Sequence, residues 1–123
     1  AGHVYVAAAD HHLVLQRRRG SDEFTLLLND DPPLHFLKPA VDKMFVSAAL
    51  YCKNRALALL LTGMGRDGAD GFLAIKREGG FTICQSEKTC VVYGMPRAAV
   101  ECGAASLVAD LEQIADLIKG KVR

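Results

Sequence analysis

The chain has 123 residues, half of them apolar and 24% charged, with 15 Lys+Arg against 14 Asp+Glu. A chain of this length is one domain or most of one, and it buries roughly two-thirds of its unfolded surface, so no disulfide or metal staple is required. The formal net charge of +1 gives no electrostatic argument for a nucleic-acid or anionic-membrane partner, which would need a clustered basic footprint, and no apolar run reads as a membrane span or a signal peptide.

Residues 4–9, V-Y-V-A-A-A, read as a short apolar strand. Residues 13–16 and 24–28 flank the polar turn R-R-R-G-S-D-E and predict a hairpin. The run Arg17, Arg18 and Arg19 reads as a solvated face of that hairpin, with a phosphate or partner patch as the alternative. N-D-D-P-P at 29–33 is a loop, because proline lacks the amide donor a strand needs.

After Pro39, Val41, Met44, Phe45, Ala48, Ala49 and Cys52 recur at helical spacing on one face. Lys38, Asp42 and Lys43 read as the wet start of that helix. Residues 56–61, A-L-A-L-L-L, are apolar throughout and predict a central parallel strand buried on both faces. A glycine-rich turn leads to a helix through Phe72, Leu73 and Ile75, stopped at Gly79-Gly80. Residues 81–84 are the next strand, with Glu87 a solvated charge in the loop after it. Pro96 then opens a helix that Gly103 closes. Residues 107–109 predict a last short strand. Asp110 with Gln113 forms a variant capping box for a helix carrying Leu111, Ile114, Ala115 and Ile118, and Lys119, Lys121 and Arg123 suit its terminal dipole.

The alternation over residues 56–118 predicts an α/β fold: a doubly wound, mostly parallel sheet with helices on both faces, plus the hairpin near the N-terminus. Cys52, Cys84, Cys90 and Cys102 form no C-x-x-C pair and complete no zinc pattern with the histidines. Lying in apolar stretches, they read as reduced core thiols of a cytoplasmic protein.

Chemistry in such sheets gathers at the carboxyl ends of the strands. There the turn at 62–68 reads T-G-M-G-R-D-G. Asp67 is open to three readings. It caps the helix that follows. Alternatively, Gly63, Gly65 and Gly68 with Glu87 form a dinucleotide fingerprint, against which stands the negative charge Asp67 would set beside a pyrophosphate. Or Asp67 orients a catalytic histidine, as the acid of a Ser-His-Asp triad does.

Two gap-free motifs, L-T-G-M-G-R-D-G-A-D-G at 61–71 and V-V-Y-G-M-P-R at 91–97, resemble those of the bacterial chemotaxis protein-glutamate methylesterases (CheB-type domains). G-H-V-Y-V-A at 2–7, D-H-H-L at 10–13 and K-P-A-V-D-K-M-F-V-S-A-A at 38–49 extend the likeness over essentially the whole chain. The resemblance implies hydrolysis of glutamyl methyl esters on the methylated cytoplasmic helices of chemoreceptors, with glutamine deamidation in many members. It implies no cofactor, no metal, no nucleic-acid partner and no membrane insertion. By the same resemblance Asp67 matches the triad acid, and Met64 the residue whose backbone amide contributes to the oxyanion hole. Gly63, Gly65, Tyr93 and Met95 match the cleft lining, with turn packing the alternative for Tyr93 and Met95. Ala8 stands where the family usually has proline, and Ala40 where it usually has serine.

The family's serine nucleophile and catalytic histidine lie upstream of the segment matched here. His3, His11, His12 and His35 lack the histidine's sequence context. Ser21, Ser47, Ser86 and Ser106 lack the glycine-flanked elbow of an activated nucleophile. An internal triad would first involve His12 and Ser86. The expectation is therefore the C-terminal portion of a catalytic domain, incomplete at its N-terminal end, with the nucleophile segment and a regulatory receiver domain upstream and this chain inactive by itself. The alternative is a non-catalytic relative that binds or scaffolds chemoreceptors, and a more distant one is a dinucleotide-binding domain.

Overall fold

The computed structural model describes residues 2–122, and two sheets organise them. β1 (His12–Arg17) and β2 (Phe24–Asn29) pair antiparallel, from His12 opposite Asn29 to Arg17 opposite Phe24. The Arg17 guanidinium folds back onto Asp22 and the Ser21 carbonyl, so part of the arginine run closes its own hairpin. β3 (Leu57–Leu60), β4 (Phe81–Gln85) and β5 (Leu107–Ala109) form a parallel sheet in that spatial order.

α1 (Val41–Cys52) precedes β3, α2 (Ala69–Arg77) joins β3 to β4, α3 (Met95–Glu101) joins β4 to β5, and α4 (Leu111–Lys121) closes the described chain. The strands' alternation sends Ala58, Leu60 and Cys84 to one face, against Phe72 and Ile75 of α2, Ala99 of α3 and Ala49 of α1. Ile83 and Ala109 turn to the other face with Leu57 and Leu59, and pack on Ile114, Leu117 and Ile118 of α4. Helices thus cover both faces of the parallel sheet, as its double-sided apolar strands require. Phe72 is fully buried and stacks on Phe45 at 5.5 Å between centroids. That burial contributes about 1.5–3 kcal/mol.

Several expectations are corrected. Residues 4–9 form no strand, and Val4, Tyr5 and Val6 are largely exposed. Apolar alternation supplies a face but no partner, and among the described residues no neighbouring strand pairs this segment. Residues 56–61 yield a parallel strand, but β3 lies at the edge of the three-stranded sheet and β4 is central. Only Ala58 and Leu60 of β3 are buried, while Leu57 and Leu59 are half-buried and Leu61 is exposed. A fully apolar run records two covered faces and says nothing about how many strand neighbours it has. The cysteines are free, but only Cys84 is a core thiol, with Cys52 and Cys90 half-buried and Cys102 exposed. Burial pushes the Cys84 thiol up to about 12. Asp110 and Gln113 form the expected capping box on α4, and Lys119 and Lys121 occupy its last turn. Arg123 lies outside the described residues.

Candidate active site

The turn after β3 is locked to the segment before α3. Gly63 and Tyr93 form a parallel bridge, in which Gly63 N–H donates to Val92 O at 3.0 Å and Met95 N–H donates to Gly63 O at 2.9 Å. Thr62 Oγ1 donates to Val92 O at 3.1 Å and accepts Val92 N–H at 2.9 Å. A Cβ on Gly94 would meet Gly63 O at 2.8 Å and Gly65 N at 3.0 Å, while one on Gly63 would strike Met95 Sδ at 2.5 Å. Glycine at 63 and 94 is therefore what lets the two backbones touch, and Gly65, at φ 90, turns the chain where an L side chain is strained. The two motifs, about thirty residues apart in sequence, make one interlocked unit in space.

Gln85, which the sequence did not single out, secures this unit from beneath. It is 1% exposed, accepts Thr62 N–H at Oε1 (2.8 Å) and donates from Nε2 to Thr89 O (2.8 Å). Its signal was a polar residue ending the strand F-T-I-C-Q, where a buried amide must find partners for both of its ends.

Asp67 is 3% exposed. It does not cap its own helix: the N-cap of α2 is Gly68, at φ 99. Its carboxylate instead accepts Val41 N–H at 2.6 Å and Asp42 N–H at 3.0 Å, the first-turn amides of α1. Ala40 stands at the N-cap of α1 and has no side-chain oxygen to offer, so Asp67 satisfies orphan donors that a serine there would have shared. Asp42 is likewise 3% exposed, against the expectation of a wet helix start. Its Oδ1 accepts Gly71 N–H at 2.7 Å and its Oδ2 meets His35 Nε2 at 2.9 Å. Lys43, by contrast, does reach solvent, paired with Asp31 at 2.7 Å. Asp70 is the second residue of α2 and faces solvent beside Arg66 at 3.6 Å. His35, Asp42 and Asp70 bring potential ligand atoms within 4.8 Å of one another, but both Asp42 oxygens are already engaged.

Met64 projects its side chain into solvent, 84% exposed, and its N–H finds no acceptor among the described residues. Tyr93 and Met95 are half-buried, Met95 by packing on Gly63. Burial, reinforced by the Glu87 carboxylate, raises the Tyr93 phenol above its ordinary range. An open apolar cleft of about 470 Å³ runs beside β3, lined among others by Tyr5, Leu13, Ala40, Thr62 and Met95.

Both fallback residues are engaged in hydrogen bonds elsewhere. His12 is fully buried with both ring nitrogens used, Nε2 on Pro32 O at 3.0 Å and Nδ1 on Ala40 N–H at 3.2 Å. Ser86 Oγ donates to Asp110 at 2.6 Å. His11 and His35 are paired with Asp30 and Asp42, neither with a serine. The dinucleotide reading loses its ground too, because Gly63 N–H, which would face a pyrophosphate, is spent on Val92 O.

A parallel α/β sheet with a buried carboxylate and an unengaged turn amide at the carboxyl end of one strand defines a class of protein whose chemistry sits at that rim. Within that class the CheB methylesterase family model matches residues 1–118, and the chain belongs to that family. It is 49% identical over 114 residues to the protein-glutamate methylesterase/protein-glutamine glutaminase 2 of Vibrio vulnificus, covering 93% of this chain and 32% of that protein. It is 40% identical over 121 residues to the protein-glutamate methylesterase/protein-glutamine glutaminase of Salmonella typhimurium, covering 98% of this chain and 34% of that protein. The crystal structure of the Thermotoga maritima CheB methylesterase catalytic domain superposes with a TM-score of 0.88 at 35% identity, over 93% of this chain and 59% of that one. The chain therefore spans about a third of the length of these curated relatives. Among the described residues no helix is long and apolar enough to cross a membrane.

Proposed function

We propose that this chain carries the acid and oxyanion half of a cytoplasmic protein-glutamate methylesterase. Its substrates are glutamyl methyl esters on the cytoplasmic helices of chemoreceptors, and glutamine deamidation is a second reaction of the same site. The nucleophilic serine, its histidine and a receiver domain belong to the longer protein, and the 123 residues alone release no methanol. In the complete site the serine oxygen attacks the ester carbonyl while the histidine takes its proton. Collapse of the tetrahedral intermediate expels methanol and leaves an acyl-enzyme, which water then hydrolyses to glutamate.

Asp67 holds the histidine's tautomer and offsets the imidazolium charge, while the Met64 N–H donates to the developing oxyanion. A donor of that kind contributes roughly 2.7–4 kcal/mol to the transition state. The observation that carries this reading is the Asp67 carboxylate. It lies in the turn after β3, buried and fixed by two amides, three residues beyond the Met64 N–H, which has no acceptor among the described residues. Two of its about four lone-pair positions are taken, which leaves capacity for an imidazole N–H.

The test is methanol release from methylated receptor by the full-length gene product and by the 123-residue chain. The reading expects turnover only from the former. Turnover by the chain alone would require an internal nucleophile. Inactivity of both, with receptor binding retained, would make the protein a scaffold.

A further inference from the structure

We propose that Asp42 is a positioning residue for Asp67: Asp67, just before α2, holds two first-turn amides of α1, and Asp42, in the first turn of α1, holds one first-turn amide of α2. The proposal rests on the reading of Asp67 as the catalytic acid.

Both helices begin without a side-chain cap of their own, α1 at Ala40 and α2 at Gly68. Their orphan amides are satisfied crosswise. Asp67, just before α2, takes Val41 N–H (2.6 Å) and Asp42 N–H (3.0 Å) from α1. Asp42, in the first turn of α1, takes Gly71 N–H (2.7 Å) from the first turn of α2. The crossing is tight at the same place, because a Cβ on Gly71 would collide with Phe45 Cβ.

Asp67 therefore cannot shift unless the N-terminus of α1 moves with it, and that terminus cannot move unless Asp42 releases Gly71. His35 fixes the second oxygen of Asp42 at 2.9 Å and closes the arrangement toward solvent. A triad acid must meet its imidazole within a fraction of an ångström, and a misplacement of about 1 Å costs about a hundredfold in rate. Holding a carboxylate with a helix end that is itself pinned by the partner helix meets that demand without any contact between Asp42 and substrate.

The experiment uses the full-length protein and methanol release from methylated receptor. Asp42→Ala and Asp42→Asn are each made in the wild-type and Asp67→Ala backgrounds, and kcat is taken per folded molecule. Asp42→Ala is expected to lower kcat by up to about a hundredfold with KM little changed, the signature of a lost transition-state interaction. Asp42→Asn should recover most of the rate, because its side-chain oxygen still accepts Gly71 N–H. In the Asp67→Ala background Asp42→Ala should cost nothing further, since there is no acid left to position.

A purely structural Asp42 would lower the melting temperature and the folded fraction while kcat per folded molecule stayed at wild type, and that result overturns the proposal. So does a loss that simply adds to that of Asp67→Ala. If Asp42→Ala does not fold, Asp42→Glu, one methylene longer with the same charge, carries the same kcat-against-KM comparison. Wild-type turnover in Asp67→Ala alone would remove the acid assignment and this proposal together. An inactive Asp67→Ala beside fully active Asp42 variants would remove only the positioning.

Discussion

Asp67 and Asp110 occupy equivalent places in the same parallel sheet, each after a strand and each immediately before or at the start of the next helix. Asp110 follows the local pattern: it is the N-cap of α4, it forms a capping box with Gln113, and its carboxylate meets Ser86 Oγ at 2.6 Å and Lys88 Nζ at 2.9 Å. Asp67 leaves its own helix to a glycine and spends its charge on α1. Two strand-to-helix aspartates thus have opposite fates. One caps its own helix at a partly exposed position and also binds Ser86 and Lys88, while the other is buried and bonded to the first turn of a different helix. An acid that a fold uses only for capping does not need a second helix to aim it.

The largest effect that separates them is on turnover. In the full-length protein Asp67→Asn is expected to lower kcat by about four orders of magnitude, since an amide holds the imidazole in the wrong tautomer and cannot offset its charge. Asp110→Asn should stay close to wild type. Methanol release from methylated receptor measures both. Comparable rates for the two variants would erase the distinction drawn here.

The next effect is on stability. Asp67→Ala strands two buried amides that now donate to a charged acceptor, at a cost of about 3 kcal/mol or more. Asp67→Asn should also be destabilising, because only one of its two terminal atoms can accept and its NH₂ would face a donor. Equilibrium denaturation should show both, with a visibly smaller midpoint shift for Asp110→Ala. Equal shifts would mean that the bonds of Asp67 to α1 contribute no more than the Asp110 cap does.

What the sequence disclosed divides along the same line. Local interactions were legible: the bounds of α1, the presence of the hairpin, Pro96 near the start of α3, and the Asp110–Gln113 box. The turn at residues 62–68 was legible as well, because a glycine-rich stretch after an apolar strand is a local pattern. The partners of Asp67 were not. Helix capping is read from adjacent residues, and Val41 lies 26 residues away. Asp42 read as wet because its helix start is charged on both sides, yet Gly71 of α2 approaches closely enough to bury it. Residues 4–9 had a strand's composition, but pairing is decided by neighbours that composition does not supply.

A smaller effect probes the contact between the two motifs. Gly94→Ala adds a methyl group against Gly63 O and against Gly65 N and O, all backbone atoms that cannot rotate away. Overpacking of that kind costs about 1–3 kcal/mol. It should also displace the Met64 amide and lower kcat in the full-length protein. Gly103→Ala is the comparison, because nothing lies within 4 Å of its added methyl and only its φ of +75° is strained. It should cost stability without touching kcat, and a kcat loss there would break the link between motif contact and oxyanion geometry.

The smallest effect belongs to Asp110 and is a pH dependence. The Ser86 hydroxyl first, and then Lys88, hold the Asp110 carboxyl below the usual carboxylate range. The same partnership raises the Lys88 ammonium above its ordinary value, chiefly through the hydrogen bond to Asp110. In the unfolded chain neither partner is nearby. As pH falls below about 4, the unfolded state takes up the Asp110 proton before the folded state does, so the contribution is full above that range and is lost as pH drops through the folded value. At the alkaline end the unfolded Lys88 gives up its proton first, so the contribution is present below about pH 10 and fades as pH rises through the raised folded value. Asp110→Asn should therefore flatten the stability profile at both ends while leaving the neutral plateau slightly lower. High salt should weaken only the Lys88 share, because that amine is exposed and screened while the Ser86 hydroxyl bond carries no net charge on its donor. Thermal melts of the two proteins across the pH range, at low and high salt, read this directly. Superimposable profiles would mean that the Asp110 contacts contribute nothing measurable, and the contrast with Asp67 would then rest on burial alone.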